Sequence, residues 1–527
     1  MDRRNFLRGV SLATVGGLTV RGFSSPVLAP LLNRAAAEDR VLVIIQLFGG
    51  NDGLNTVIPL DQYSLLSQFR NNVLIPANQV LPLSGLASSG LHPAMTGMQA
   101  LWNDGKLGIV QGVSYPSPNY SHFRATDIWE TGSDSNVVLQ SGWAGRYLNY
   151  EYPNFPVGFP NTDMPDPLAI RIGGPVNLAL QNLGVNMAVA INNTDDPLNL
   201  TGSVYIDPVT GACSGSKLDF VRTVQRQTDL YGDVIEAAAQ PGCNLSTLYP
   251  SGNQPGAELA QALKIVAQLI CGGLKTRIYW VSETGFDTHA QQTDSVDHSI
   301  GAHANLLRGV SDSIRAFQDD VQLLGISERV MGMTFSEFGR RIYSNGSGGT
   351  DHGSALPMFV FGDKVIPGML GTNPVIDPNS TPATNLAMQY DFRSVYASVL
   401  KDWFCLEQNE VDQVLLNTFQ PLSLIDPQGC IDASVHEANQ GAGQVVLDVY
   451  PNPFVERTTV RYEATGGRVL LQVYSEQGQL VRTLVDQVMG SGTFTTDCDL
   501  GDLPAALYYC RFQNMGRQQV KSMLKVR

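Results

Sequence analysis

The run Val41–Phe48 most constrains the fold of this chain, because seven of its eight residues are apolar. A strand that is apolar on both faces is typical of the centre of a parallel sheet covered by helices on each side. Similar apolar runs recur along the chain, at 107–110, 168–172, 278–281, 329–334 and 357–361. Helical patterns lie between them, at 95–104, 257–274, 299–324 and 392–404. This alternation predicts an α/β fold with a mostly parallel sheet flanked by helices.

The pattern changes near residue 431. Residues 431–443 are rich in Gly, Ala, Asn and Gln, which is typical of a linker. From 444 to 527, short strand patterns follow one another without a helical pattern. We therefore predict an α/β domain at 38–430 and a small all-β sandwich at 444–527.

The first 37 residues have the pattern of a twin-arginine signal peptide. Arg3 and Arg4 precede a mildly apolar run, which ends well before Ala35–Ala37, a plausible cleavage site. The run is too short and too weakly apolar to span a membrane. We expect an exported protein, extracellular or on the outer cell surface, without a transmembrane span in the mature chain.

The charge of the chain argues against a nucleic-acid partner. Its net charge is −14, from 34 basic and 48 acidic residues. Removal of residues 1–37 takes away five Arg and one Asp, leaving 29 basic and 47 acidic residues, a net charge of −18. Proteins that bind phosphate backbones need a basic surface. An acidic chain suits an extracellular protein or one that binds cations.

Residues 335–353 form the stretch richest in groups that perform chemistry. They follow a predicted buried strand and include Glu337, Arg340, Asp351 and His352, with several glycines that let the backbone turn tightly. Acidic, basic and imidazole groups at the end of a strand are what a metal or anion site in an α/β sheet requires. The alternative is an ordinary solvated loop, because surface loops are usually polar.

Three other positions carry suitable groups. Asp52 follows the first strand directly, at the sheet edge where α/β enzymes bind ligands. Asp287 and His289 are two apart in an extended segment and so face the same side. Ser121 opens a helix, where it either caps the helix or presents a hydroxyl beside N–H groups that attract an anion.

Seven cysteines leave at least one thiol unpaired. Cys213 with Cys243, and Cys498 with Cys510, are candidate pairs, whereas Cys271 is expected to pack in a helix. The chain has no Cys-x-x-Cys pair, which argues against a thiolate zinc site.

The end of the chain resembles the type A sorting domain of the type IX secretion system. The matching residues are Tyr450–Phe454, Gly478–Val481, Leu503–Tyr509 and Val520–Lys521. Ala506 is a departure, because the family commonly has Gly there. The resemblance implies that residues 444–527 engage the secretion machinery; a carbohydrate-binding sandwich is the rival interpretation.

Residues 40 to about 420 resemble domain-of-unknown-function family 1501, which is similar to the alkaline phosphatase and sulfatase superfamily. The motifs that carry the resemblance are Gly49–Gly53, Ser121–Phe123, Gly285–His289, Ser336–Arg340 and Gly349–Gly353. The resemblance implies an alkaline phosphatase-like fold. The residues after Ser121 lack the Pro and Arg spacing of formylglycine sulfatases, which argues against that class.

The resemblance also implies roles for individual residues. Ser121 matches the nucleophile, and Arg340 or Arg124 would bind the oxyanion. Phe338 stands where the superfamily has a histidine, so Asp351 is the candidate replacement. The implied metal ligands are Asp52, Asp287, His289, Glu337, Asp351 and His352.

Two functions are compatible with this sequence. The first is a secreted, metal-dependent hydrolase of phosphate or sulfate esters, acting on a small-molecule or glycan-linked substrate with one or two divalent ions. Zinc suits a mixture of imidazoles and carboxylates, and manganese or calcium would suit a site dominated by oxygen ligands. The second is a non-catalytic surface or envelope protein that uses the same fold for binding.

Overall fold

The computed structural model describes residues 39–192, 231–240, 242–427, 430, 447–475, 480–514 and 517–526. Contacts divide the chain after Cys430 into two compact units, of which the larger is Ala36–Cys430 and the other contains the C-terminal strands. The predicted signal peptide and the predicted linker at 431–443 lie outside the described residues.

The larger unit has α/β architecture. Its strands are β1 (Val41–Phe48), β2 (Val57–Pro59), β3 (Leu81–Leu83), β4 (Leu86–Leu91), β5 (Leu107–Ser114), β6 (Ala169–Ile172), β7 (Gln181–Asn182), β8 (Val185–Asn186), β9 (Val189–Ile191), β10 (Ile278–Thr284), β11 (Val330–Phe335), β12 (Arg340–Ser344), β13 (Thr350–His352), β14 (Leu356–Gly362), β15 (Gly368–Leu370) and β16 (Tyr390–Asp391). Its labelled helices are α1 (Gly53–Thr56), α2 (Tyr63–Phe69), α3 (Thr96–Asn103), α4 (His122–Thr131), α5 (Trp143–Glu151), α6 (Ala257–Cys271), α7 (Ala302–Leu323), α8 (Phe392–Ser398) and α9 (Gln408–Leu415).

The main sheet has the order β15-β5-β14-β11-β1-β10-β6-β9, with β16 beside β5. Strands β11, β1, β10, β6 and β9 are parallel to one another and extend from the middle of the sheet to one edge. Strand β14 is antiparallel to both of its neighbours, while β15 and β16 run parallel to β5. The prediction of a mostly parallel sheet is therefore confirmed, and the antiparallel strand is an addition that the sequence pattern did not show.

Strand β1 is buried on both faces, as its continuous apolar sequence predicted. Leu42 and Ile44 belong to one hydrophobic cluster, which also contains Trp129 of α4. Val43 and Ile45 belong to a second cluster on the opposite face, packed against α6 and α7. Because successive side chains of a strand point to opposite faces, only a strand apolar at every position can fill both cores.

The parallel strands bring three chain segments to one edge of the sheet. In the pairing of β1 with β10, Phe48 lies opposite Thr284, so both strands end together. Gln46 of β1 lies opposite Phe335, the last residue of β11. The segments that follow these strands therefore leave from the same carboxyl edge, which is where open α/β sheets bind ligands.

The smaller unit is an antiparallel sheet. Its strands are β17 (Leu447–Tyr450), β18 (Arg457–Ser475), β19 (Leu480–Asp499), β20 (Leu507–Asn514) and β21 (Arg517–Leu524). The long strand β18 pairs with β17 through its first half, with β20 through its second half and with β19 throughout. The predicted all-β character is confirmed, and the described strands are joined in one sheet.

The described cysteines pair differently from the predicted combinations. A disulfide joins Cys405 to Cys430, a pair that the sequence analysis did not consider. Cys498 and Cys510 are buried free thiols rather than a bonded pair. Cys243 lies with its Sγ atom 3.0 Å from that of Cys271, and both are free thiols, while Cys213 lies outside the described residues. Pairing depends on tertiary proximity, which cysteine spacing alone does not reveal.

Among the described residues, no helix is long and apolar enough to cross a membrane.

One buried carboxyl in this core makes stability depend on pH. Glu130, near the end of α4, accepts hydrogen bonds from the backbone N–H of Leu178 at 3.0 Å and from Asn177 Nδ2 at 3.1 Å. Burial nevertheless raises the pKa of Glu130 to about 7, from an ordinary value of 4.5. Between these two pH values the folded state binds more protons than the unfolded state, so the free energy of unfolding must fall as pH rises.

We predict that Glu130→Gln removes this contribution, because glutamine does not titrate. From pH 4.5 to about pH 7, the free energy of unfolding of the wild type should fall more than that of the variant, by up to about 3 kcal/mol. Urea unfolding at a series of pH values measures the difference. Glu328→Gln is the matched control, since the Glu328 side chain is 72% exposed. Parallel pH profiles for wild type and Glu130→Gln would contradict the prediction.

Candidate metal centre

A buried arginine joins the segments at the sheet edge. The guanidinium of Arg340, at the start of β12, donates to the carbonyl oxygens of Gly49, Gly50, Phe286 and Thr350. Its Nη2 also donates to Asp287 Oδ1 at 2.7 Å. Since a buried charge is stable only when its hydrogen bonds are satisfied, these contacts fix the three segments relative to one another.

The loop after β1 passes very close to the segment that carries Asp287. Gly49 has a φ of +127°, and a Cβ atom there would lie 2.3 Å from the backbone nitrogen of Asp287. Only glycine adopts this conformation readily and leaves the required space. The glycine therefore allows the two loops to approach each other.

Three imidazole rings lie around Asp287, each with its Nδ1 atom facing an acceptor. Nδ1 of His352 is 2.8 Å from the carbonyl oxygen of Tyr120, which can only accept a hydrogen bond. Nδ1 of His122 is 2.7 Å from Glu337 Oε1, and the third ring, His289, has Nδ1 3.5 Å from an Asp351 oxygen. A proton on each Nδ1 leaves each Nε2 with a free lone pair.

The three Nε2 atoms converge on the Asp287 carboxylate. Nε2 of His289 and of His352 lie 3.1 and 3.2 Å from Asp287 Oδ1, and Nε2 of His122 lies 3.4 Å from Oδ2. The Nε2 atoms of His289 and His352 are only 2.8 Å apart. Two unprotonated nitrogens at this distance repel each other, and either a shared proton or a cation bound beside them relieves the repulsion. The arrangement thus fits a positive ion bound by nitrogen and carboxylate ligands.

The charges of these groups suit a cation. Partial burial raises the pKa of Asp287, but the Arg340 guanidinium, which donates to this carboxylate, is the main opposing influence, and the pKa is lowered to about 2. Burial lowers the pKa of His352 below its ordinary value. The hydrogen bond with Glu337 raises the pKa of His122. Near neutral pH, Asp287 is therefore ionised and His352 is neutral, which are the forms that bind a metal.

The donor set matches the ligands of a divalent transition metal. His122, Asp287 and His352 each offer an atom within 4.8 Å of the other two, and His289 contacts two of these residues. Imidazole nitrogens with one carboxylate are typical of zinc. Metal-binding histidines usually donate their second N–H to a carboxylate or a backbone carbonyl, as the three rings do here. These residues could hold one such ion.

The other predicted ligands lie elsewhere. Glu337 and Asp351 lie behind the imidazoles, where they accept from Nδ1 atoms rather than join the convergent group. Asp52 is fully buried and forms an ion pair with Arg70. Its Oδ2 atom also accepts from Gln292 Nε2 at 2.6 Å. Among the described residues no hydrogen bond or ion pair joins Asp52 to the convergent imidazoles, so its role as a ligand stays a prediction.

The two residues predicted to be catalytic occupy different environments. Ser121 is exposed and precedes the first turn of α4, and its backbone N–H donates to Asn119 Oδ1 at 2.9 Å. No hydrogen bond in the described part of the chain joins its hydroxyl to the imidazoles. Arg340 is fully buried, so its guanidinium positions Asp287 and the loops instead of facing a substrate oxyanion.

His122 is the site residue that the sequence analysis did not select. It belongs to the same Ser-His-Phe motif as Ser121, and an imidazole at the first position of a helix was a usable signal. The resemblance to the superfamily matches the serine of this motif to the nucleophile and implies no role for the histidine. Only the tertiary structure shows that Glu337, 215 residues away in sequence, orients the His122 ring.

We predict that Glu337→Gln weakens zinc binding about 10- to 100-fold, because a neutral amide no longer polarises the His122 ring. Competition with a chromogenic chelator measures the affinity. Asp351→Asn is the matched control and should have a smaller effect, since Asp351 is 47% exposed and 3.5 Å from its imidazole. Equal affinity in wild type and Glu337→Gln would contradict the role of this carboxylate.

Comparisons with known families assign two parts of the chain. Residues 229–415 match the family described as "Protein of unknown function (DUF1501)". Residues 448–526 match the family described as "Secretion system C-terminal sorting domain". A type IX sorting domain indicates export, with the protein at the cell surface or outside the cell. No curated protein matches the chain.

Similar solved structures include sulfatases and members of the alkaline phosphatase superfamily. One comes from work on glycosaminoglycan metabolism by Bacteroides thetaiotaomicron, with 10% identity, a TM-score of 0.34, and 84% of this chain and 89% of that chain covered. A sulfatase from Pseudoalteromonas sp. has 10% identity and a TM-score of 0.32, with 89% and 86% covered.

A protein of the alkaline phosphatase superfamily from Vibrio parahaemolyticus is also similar, at 10% identity and a TM-score of 0.30, with 96% and 92% covered. At such TM-scores the likeness establishes no shared activity. The chain therefore contains one segment that matches the DUF1501 family model, at 229–415, and one that matches a secretion sorting domain, at 448–526.

Proposed function

We propose that the α/β unit is a metal-dependent hydrolase of phosphate or sulfate esters that acts outside the cell. The observation that carries this proposal is the convergence of three imidazole Nε2 atoms on the Asp287 carboxylate at the carboxyl edge of the sheet. A divalent ion bound there would neutralise negative charge on the ester group and lower the pKa of a hydroxyl or a water molecule.

Ser121 is the proposed nucleophile. It precedes α4, whose first intrahelical hydrogen bond runs from the Ala125 N–H to the Ser121 carbonyl. The N–H groups of residues 122–124 consequently have no partner within the helix, and the positive end of the helix dipole favours an anion there. Ser121 directly precedes His122 in the chain, and this adjacency supports its assignment as the nucleophile.

The proposed reaction has two steps. Ser121 Oγ loses its proton and forms a bond to phosphorus or sulfur, while the bond to the alcohol oxygen breaks and the alcohol leaves with a proton. Water then attacks the same atom, the bond to Ser121 breaks, and inorganic phosphate or sulfate is released. Arg340 acts here only as a positioning residue, because its guanidinium is buried.

A non-catalytic binding protein is the second candidate. Phe123 favours it, because its side chain is 84% exposed beside His122 and offers an aromatic face to a sugar ring. The pairing of Asp52 with Arg70 also favours it, since a second metal would need a free carboxylate at that position. In this alternative the ion would have a structural role.

Metal content tests the proposed centre. We expect about one equivalent of a divalent metal in the purified protein by elemental analysis, and loss of that metal in the double variant Asp287→Ala/His352→Ala, which removes two convergent ligands. His298→Ala is the control, because His298 contacts the Leu74 carbonyl and has no contact with the imidazole group among the described residues. A metal-free wild-type protein, or a double variant that keeps its metal, would contradict the centre.

Ser121→Ala tests the chemistry. We predict that hydrolysis of p-nitrophenyl phosphate or p-nitrophenyl sulfate falls at least about 1,000-fold in the variant, while metal content is unchanged, because the nucleophile is lost and the ligands remain. Ser117→Ala, at an exposed serine nearby, should keep wild-type activity. Full activity in Ser121→Ala would exclude this nucleophile. A metal-loaded wild type without activity on any ester would favour the binding protein.

A further inference from the structure

Gln292 is a fully buried side chain beneath the two segments that carry the convergent imidazoles. Its Oε1 atom accepts hydrogen bonds from Thr288 Oγ1 at 3.1 Å and from Thr350 Oγ1 at 2.7 Å. Its Nε2 atom donates to Asp52 Oδ2 at 2.6 Å. The orientation of the amide is fixed by its partners, because an ionised Asp52 can only accept whereas hydroxyl groups can donate.

The two threonines are adjacent to the proposed ligands. Thr288 lies between Asp287 and His289, and Thr350 lies two residues before His352. The Thr350 N–H also donates to the Thr288 carbonyl at 3.2 Å. One amide oxygen therefore joins the segment of Asp287 and His289 to the segment of His352. Gln292 is thus hydrogen-bonded to both segments that carry the two rings.

The backbones of these two segments are in close contact at Gly349. A Cβ atom at Gly349 would lie 2.3 Å from the backbone carbon of His289. Close packing of this kind transmits displacements, because interiors have few voids into which a side chain can relax. The hydrogen bonds of Gln292 thus act on backbone segments that are already in contact.

Asp52, which is paired with Arg70, accepts the hydrogen bond from the Gln292 amide nitrogen. The side chains of Asp52 and Arg70 each expose at most 1% of their surface, and they form an ion pair. Burial raises the pKa of Asp52, but the charges of Arg70 and His303 and the hydrogen bonds of the carboxylate outweigh it, so the pKa is lowered. An ionised carboxylate makes a stronger hydrogen bond with an amide N–H than a neutral acceptor does. The ion pair gives Gln292 a fixed and charged partner.

We propose that Gln292, held by Asp52, is a positioning residue that sets the distance between His289 and His352 for one divalent ion. This inference deepens the proposed function and rests on its metal centre. Glutamine suits the position because its oxygen can accept from two hydroxyls while its nitrogen donates to a carboxylate. Glutamate would place two negative groups together, and an apolar side chain would leave the two threonine hydroxyls without their acceptor and remove one hydrogen bond from Asp52.

Zinc affinity and the visible spectrum of bound Co²⁺ test the proposal, because neither depends on catalysis. In Gln292→Met, which has a similar length but no amide, zinc affinity should fall about 10- to 100-fold and the Co²⁺ spectrum should shift with the ligand geometry. Gln318→Met is the matched control. Gln318 is a buried glutamine on α7 that makes none of these contacts, and its variant should behave as wild type.

Thr350→Val and Thr350→Ser keep the test decisive if Gln292→Met does not fold. Valine has the shape of threonine without the hydroxyl, whereas serine retains the hydroxyl and should restore wild-type zinc affinity. Wild-type affinity and spectrum in folded Gln292→Met, or in Thr350→Val, would overturn the proposal. A wild type that binds no zinc would overturn both the metal centre and this inference. A wild type that binds zinc normally but hydrolyses no ester would contradict the hydrolase alone.

Discussion

The buried guanidinium of Arg340 is the interaction on which the rest of the site depends. Parallel strands deliver three segments to one edge of the sheet, where the strand pairing ends. Arg340 joins these segments by donating to carbonyl groups after β1 and β10, to Thr350, and to Asp287. A buried charged donor without hydrogen-bond partners is costly. The need to satisfy this one guanidinium therefore keeps all of these loops in place.

The carboxylates of Asp52 and Asp287 differ in their surroundings. Asp52 has its cation within the protein, in Arg70, and both are inaccessible to solvent. Asp287 shares Arg340 with several carbonyl groups, keeps 45% of its side chain exposed and faces three imidazole rings. The two carboxylates therefore differ in exposure: Asp287 is accessible at the open position, whereas Asp52 is buried in its ion pair. The same motif-rich edge can thus contain both a proposed ligand and a structural ion pair.

Much of the architecture could be predicted because it depends on local patterns. The apolar run of β1 predicted a strand buried on both faces, and the Asp-x-His spacing predicted that Asp287 and His289 face the same way. The structure brings these two residues together with His352. The involvement of His122, the withdrawal of Asp52 into an ion pair and the disulfide of Cys405 were not predicted. The partners lie 215, 18 and 25 residues away in sequence, and periodicity and spacing do not encode which residues meet.

By itself, the sequence determined which segments become strands and helices, because apolar periodicity and turn residues act over a few positions. It also determined which chemical groups reach the carboxyl edge, since those groups directly follow the strands. Only the tertiary structure decided which of them face one another. Burial and charge pairing made this choice: Arg70 neutralised one carboxylate and Glu337 oriented His122. Such contacts between distant residues arise from the packing of the whole sheet.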